Sequence, residues 1–231
     1  MIKEKVARVA ADAFIQKGIK NVKMDDIAAE LSISKRTLYE LYGDKEELLL
    51  EVVRLHREEM RMYMVGVAEK AENVLEIILN FYIRSTEDFQ STNILFFEDI
   101  KRYPRVTKFL EDGRRENAMS AIAFYKKGVE QGIFREDVNY DIVQEMIHGQ
   151  MDTLLHSERC KAYSIVEVFK TVVFMHLRGI STEKGLKLVN EFLAKLDETK
   201  TLVSPEDTDV LNNLLELRNM ADKLSFRADS V

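Results

Sequence analysis

Between Met24 and Leu48 the chain starts, stops and restarts helices within 25 residues, which confines this stretch to short helices folded tightly on one another. Met24 to Leu31 reads as a two-turn helix with Ile27, Ala28 and Leu31 facing inward, and Asp25 and Asp26 in its first turn complement the helix dipole. Ser32-Ile33 interrupts it. Ser34 is placed as an N-cap, Lys35 to Tyr42 forms the next helix, and Gly43 ends that. Asp44-Lys45-Glu46-Glu47 then sets an N-cap acid three residues before a glutamate, a capping-box arrangement that opens a long helix through Leu48, Val52 and Leu55 to about Val67. Ahead of all this, Ile2, Val6, Val9, Ala10, Ala13 and Phe14 form one stripe of a helix from Ile2 to Lys17, stopped by Gly18.

Three short helices with a tight turn between the second and third form the geometry in which the third enters a DNA major groove about 12 Å wide while the second braces it. Ile27, Ala28, Leu31, Ile33, Leu38 and Tyr42 can close a small core with Phe14, the small Ala28 permitting close approach. That leaves Lys35, Arg36, Thr37, Tyr39 and Glu40 on the outer side of the third helix. Arg36 can read guanine O6 and N7, Thr37 and Tyr39 can bond phosphates, and Lys35 adds positive charge. Lys45, beside the free N–H groups of the next helix start, is a further phosphate site. The plainer alternatives are a packing subdomain with no nucleic-acid role and an Arg36 that is simply solvated.

The rest of the chain supports an all-α architecture. Two prolines and nine glycines in 231 residues break few helices, and helical stretches read at about 72–90, 92–103, 106–131, 139–158, 162–180 and 183–196. Net charge is −6, which by itself argues against a nucleic-acid partner. Residues 1–63, however, balance 12 basic against 12 acidic side chains, and the excess lies downstream: from Asp197 onward there are 4 basic and 8 acidic. The lone Cys160 permits no internal disulfide. The charged N-terminus and the lack of any apolar run near the ~20 residues that span a bilayer point to the cytoplasm and to no membrane partner.

From Met24 to Leu48 the sequence resembles the TetR family of transcriptional regulators: Asp26-Ile27-Ala28, Ile33-Ser34, Thr37-Leu38-Tyr39 and Lys45-Glu46-Glu47-Leu48 stand at the family's spacing. Gly132 to Asn139 is similar to a weaker marker before the family's eighth helix. The resemblance implies a helix-turn-helix domain over residues 1–48, a linking helix over about 45–67, a larger helical effector-binding and dimerisation domain over 49–200, and an extension over 201–231. It implies a homodimer on a palindromic double-stranded operator, most simply a repressor released when a small molecule occupies the C-terminal domain. Lys35, Arg36 and Tyr39 become groove contacts, Thr37 and Lys45 phosphate contacts, with Ser34 and Lys23 counted beside them. Lys23 stands where the family has a capping Thr; it can reach a phosphate but cannot cap. Arg36 replaces a frequent Gly and Ser32 the usual turn Gly, while Glu40 and Leu41 stand where polar or basic residues are common.

Nine of the twenty aromatics fall in residues 81–125 (Phe81, Tyr82, Phe89, Phe96, Phe97, Tyr103, Phe109, Phe124, Tyr125). Of these Phe81, Phe89, Phe96, Phe97, Phe109 and Tyr125, with Met119 and Met146, are the candidates for lining a ligand pocket, although ordinary core is the plainer role for each. Ile142, Met146, Gly149 and Leu154 are candidate dimer contacts in a four-helix interface formed by 139–158 and 162–180 with their mates. His148, Asp152 and His156, with Glu145, recur on one helix face, where pairing across a two-fold axis is a plainer explanation than a metal. A helical-bundle di-iron enzyme needs two Glu-x-x-His pairs, and only Glu145-x-x-His148 is found, so neither a metal, a cofactor nor an enzymatic activity is expected. A dimeric helical adaptor without sequence-specific DNA binding is the alternative function. Ser204-Pro205 opens a last helix whose Val210, Leu214, Leu217, Ala221 and Leu224 follow an a/d spacing that suits docking on the C-terminal domain or across the dimer.

Overall fold

A computed structural model describes residues 2–155, 157 and 162–201, with the side chains of 114–120, 148, 152, 155 and 197–201 left aside. The predicted helix over 204–231, Cys160 and His156 lie outside the described residues. Among the described residues ten α-helices follow in order: α1 Ile2–Lys17, α2 Met24–Glu30, α3 Lys35–Leu41, α4 Lys45–Lys70, α5 Val74–Ser91, α6 Ile94–Ile100, α7 Pro104–Glu130, α8 Tyr140–Leu155, α9 Ile165–Ile180 and α10 Glu183–Thr201. The only β feature among the described residues is one antiparallel bridge, Phe134 to Ser181. Pro104 marks the break after α6 as the first residue of α7, where a missing N–H costs nothing and its fixed φ suits a helix start. No described helix is long and apolar enough to cross a membrane.

Two compact units form. Of the described residues, the first takes those up to Val65 together with Ser85–Ser120, the second Gly66–Arg84 and those from Ala121 onward, so the chain passes between them inside α4, α5 and α7. The first unit therefore joins the helices expected over 1–48 to a stretch much later in the sequence. Its core is Val6, Ala7, Ala10 and Phe14 of α1, Ile27 and Ala28 of α2, Leu38 and Tyr42 around α3, and Leu48, Leu49 and Val52 of α4, with Val106 from α7. Leu31 and Ile33 pack against it only in part, and Ile2, expected on the buried stripe, is half exposed.

The helix ends follow the local chemistry. Gly18 adopts φ +79, which only glycine takes without strain, and its N–H returns to Phe14 O at 3.0 Å. Asp44 caps α4, its Oδ1 accepting from Glu47 N at 2.7 Å, while Glu47 Oε2 accepts from Gly43 N at 2.9 Å. The second unit contains an aromatic cluster in which Tyr82 stacks on Phe169 at 5.5 Å and meets Phe174 edge-on at 4.9 Å, with Phe192 of α10 completing it. Phe169, Phe174 and Phe192 lie outside the aromatic-rich stretch 81–125, and their sequence signal is the amphipathic periodicity of α9 and α10.

Candidate nucleic-acid interface

α3 is held by its start and by one side chain. Ser34 is extended, at φ −71 and ψ 149, and its Oγ accepts from Thr37 N at 3.0 Å, so the serine acts as the N-cap that orients the helix. Its hydroxyl also lies 2.8 Å from that of Thr37, so both are engaged in the cap itself. Leu38 is fully buried beneath the helix, a burial that stabilises by about 2 kcal/mol. Since side chains advance by about 100° per residue, Arg36 and Glu40 stand within roughly 20° of the line opposite Leu38, at the centre of the outer face. Lys35 and Tyr39 flank them on one side, and Thr37 on the other.

The turn before α3 carries backbone strain. Ser32 sits at φ +53, the one non-glycine in the left-handed region among the described residues, at the position where the sequence shows Ser in place of the usual Gly. Its N–H bonds Ala29 O at 3.0 Å, and Ile33 N bonds Ala28 O at 3.0 Å, so the turn is tied down despite the cost. Lys23 is extended ahead of α2 and its side chain makes no cap bond. Instead Asp26 Oδ2 accepts from Lys23 N at 2.9 Å, the half of a capping box that needs no acceptor on residue 23.

The cations of this face are paired. Lys35 Nζ bonds Asp25 Oδ2, a contact that pushes the ammonium above the usual lysine range. Arg36 Nε donates to Glu40 Oε1 at 2.8 Å, with both side chains largely in solvent. Pairs so exposed hold weakly and exchange readily for other partners. Tyr39 is half exposed and presents its ring beside them.

Lys45, read from the sequence as a phosphate site, has close neighbours in the fold. It is half buried, its Nζ 5.8 Å from the Phe14 ring centre and 3.5 Å from Lys20 O, and burial lowers its pKa. The start of α4 beside it also carries Asp44 and Glu46, both clasped by Arg105: Nη2 reaches Asp44 at 2.5 Å, Nε reaches Glu46 at 3.1 Å, and Arg105 N donates to Glu46 at 2.7 Å. The Arg105 bond holds the Asp44 carboxyl below the usual carboxylate range.

Arg105 belongs to a set of supports that the sequence reading missed. Asn93, before α6, donates from N to Ile15 O at 2.9 Å and from Nδ2 to Gln16 O at 3.1 Å. Asp99, buried on α6, accepts from Lys20 N at 2.6 Å. These three residues fasten α6 and the start of α7 to the turns around α1, α2 and α4. They lie 59 to 79 residues from their partners, and no local pattern announces them.

The candidate ligand residues are divided between the units. In the first, Phe97 meets Phe89 and Phe96 edge-on, each at 5.7 Å, while Arg54 and Arg57 lie over the Phe109 ring at 5.5 and 5.3 Å. In the second, Phe81 is exposed, and Tyr125 stacks on Tyr140 at 4.8 Å. Met119 lies on α7 with its side chain outside the described residues, as are those of His148 and Asp152 on α8. A shallow apolar groove of about 390 Å³ runs between α8 and α9, lined by Gly149, Thr153, Leu154, Thr171, Val172 and Met175. Ile142, Met146 and Gly149 are exposed at positions one and two turns apart on α8, so the dimer candidates share one apolar face with this groove.

Residues 7–52 match the model of the tetR family of bacterial regulatory proteins. Over 60% of this chain and 72% of its own length, the HTH-type transcriptional repressor KstR2 of Mycobacterium tuberculosis is 23% identical. The uncharacterized HTH-type transcriptional regulator YvaF of Bacillus subtilis is 26% identical over 77% of this chain and 96% of its own. Among solved structures, a transcriptional regulator of Saccharomonospora viridis in complex with choline superposes with a TM-score of 0.60 at 18% identity, covering 79% of this chain and 98% of that one.

Proposed function

We propose, from its place in the TetR family of DNA-binding transcriptional regulators, that this chain is a cytoplasmic homodimeric repressor that binds a palindromic operator and leaves it when a small molecule is bound. One observation carries the reading: α3 turns Arg36, flanked by Lys35, Tyr39 and Thr37, away from a core closed by Leu38, on a helix oriented by the Ser34 cap. A rigid helix with a bidentate donor at the centre of its free face is what a major groove accepts. Lys35 would exchange its carboxylate partner for base edges and phosphates, Arg36 would offer its terminal guanidinium nitrogens to a base edge, Tyr39 and Thr37 would meet the backbone, and Lys23 would reach a phosphate. Ser34 and Lys45 serve the fold of the head as much as the contact, given their bonds. Residues 1–48 act as the DNA-binding domain, 49–200 as the effector and dimer domain, and 201–231 as an extension of it; the chain works by binding and not by catalysis.

Dimerisation is assigned to the apolar face of α8, with Ile142, Met146 and Gly149, and to the adjoining groove edge at Leu154. The choline complex of the Saccharomonospora viridis protein gives precedent for a small ligand on this architecture. Selection of bound sequences from a random duplex pool tests the function directly. A two-fold symmetric motif, bound with a steep loss of affinity as salt rises, is expected. Arg36→Ala should weaken that site by ~1–3 kcal/mol and relax one base pair per half-site, leaving random DNA nearly unaffected. Equal losses on operator and random duplexes would remove Arg36 from base reading.

A further inference from the structure

Glu40 shares the centre of the α3 face with Arg36, and a carboxylate is an unfavourable neighbour for phosphates unless a base offers it a donor. Resting on the operator-binding reading, we infer that Glu40 is a specificity-determining residue: it accepts from the N4 amino group of a cytosine one or two base pairs from the guanine that Arg36 reads. The geometry begins with the bond between the two side chains. Arg36 Nε donates to Glu40 Oε1 at 2.8 Å, which leaves the two terminal nitrogens of the guanidinium as a free bidentate edge for guanine O6 and N7. The second carboxylate oxygen of Glu40 remains for a base donor. Residues four apart on a helix are separated by about 6 Å along its axis, close to two base-pair steps, so the two side chains address neighbouring pairs and not one.

The choice of cytosine follows from what each base edge presents in the major groove. Guanine shows two acceptors and thymine an acceptor and a methyl group, so both repel or waste a carboxylate. Adenine offers the N6 amino group, but its N7 acceptor lies beside it and opposes the second oxygen. Cytosine offers only a donor. Glu40 thus acts by rejection as much as by attraction, since a wrong base leaves a desolvated charge unpaired. The same carboxylates explain how a head with balanced charge discriminates: Glu40 and Asp25 reduce attraction to arbitrary DNA, and a correct sequence restores it.

The test is selection from the random duplex pool with the full-length protein, comparing wild type with Glu40→Gln and Glu40→Ala. Wild type should enrich a guanine with a cytosine one or two pairs away in each half-site. Glu40→Gln should shift that cytosine toward adenine, which suits a carboxamide, and Glu40→Ala should cost about tenfold in preference there while the guanine is kept. Both substitutions are at an exposed position, and unchanged circular dichroism would show that the head remains folded. An enriched wild-type motif that both variants reproduce at every position would overturn the assignment of Glu40 alone. A wild-type pool with no enriched sequence would overturn the operator reading itself.

Discussion

Gly18 joins α1 to the turn before α2 and touches α6, and substituting alanine there separates two physical costs. The first is backbone. At φ +79 a Cβ costs about 1–2 kcal/mol, partly offset by the ~0.5–1 kcal/mol that alanine gains through a less flexible unfolded chain. The second is packing: the new Cβ would stand 2.7 Å from Leu95 Cβ, far inside van der Waals contact. Leu95 cannot simply retreat, because the start of α6 is bound to Ile15 O and Gln16 O through Asn93. Relieving such overpacking costs ~1–3 kcal/mol, so Gly18→Ala should destabilise by about 2–4 kcal/mol in all. Gly132 supplies the control, with φ +67 and nothing within 4 Å of an added Cβ, so Gly132→Ala should show the backbone cost alone, about 1 kcal/mol or less. Urea titrations of both variants measure the difference. Amide exchange at Lys20, whose N–H is held by Asp99, locates it in the α1–α6 contact. If the two variants lose the same stability, α6 is not a rigid neighbour of Gly18.

Ser32→Gly should stabilise the head by ~0.5–1 kcal/mol, because glycine relieves the left-handed turn at some cost in unfolded entropy; a lower urea midpoint would show that the serine earns its place otherwise. The Tyr42 phenol is pushed up to about 12, by burial first and then by Glu51 and Glu47. Its folded value lies above the ordinary 10.0, so the stability it contributes is complete below pH 10 and is lost as pH rises from there through 12. Tyr42→Phe should remove that share of the alkaline loss, and an unchanged pH profile would count against the burial. Tyr103, Tyr125 and Tyr140 shift in the same direction and account for a residual slope. Met146→Glu, at an exposed position of α8, should leave the melting temperature of the protomer nearly unchanged while light scattering shows a shift from dimer to monomer. A dimer that survives at micromolar concentration would exclude this face.

The helices and the outer face of α3 are legible in the sequence because their causes are local. Ser34 caps because its hydroxyl reaches an N–H three residues on, and Leu38 points inward while Arg36 points outward because 3.6 residues make a turn. Gly18 and Asp44 mark helix boundaries for reasons contained within four residues. What required the tertiary structure is everything that depends on distant partners. Lys45 reads as a phosphate site, and nothing near it in sequence announces Phe14 and Lys20 O beside it; Ile2 reads as buried but is half exposed. The attachment of α6 and α7 to the head through Asn93, Asp99 and Arg105 leaves no periodic trace, since single hydrogen bonds across 59 to 79 residues impose no repeat on the sequence. Nor does composition say which aromatics meet: the crowded stretch 81–125 divides between two units, and Tyr82 finds its partners on α9 and α10. A repeating turn fixes which way a side chain faces, but only the folded chain decides what stands opposite it.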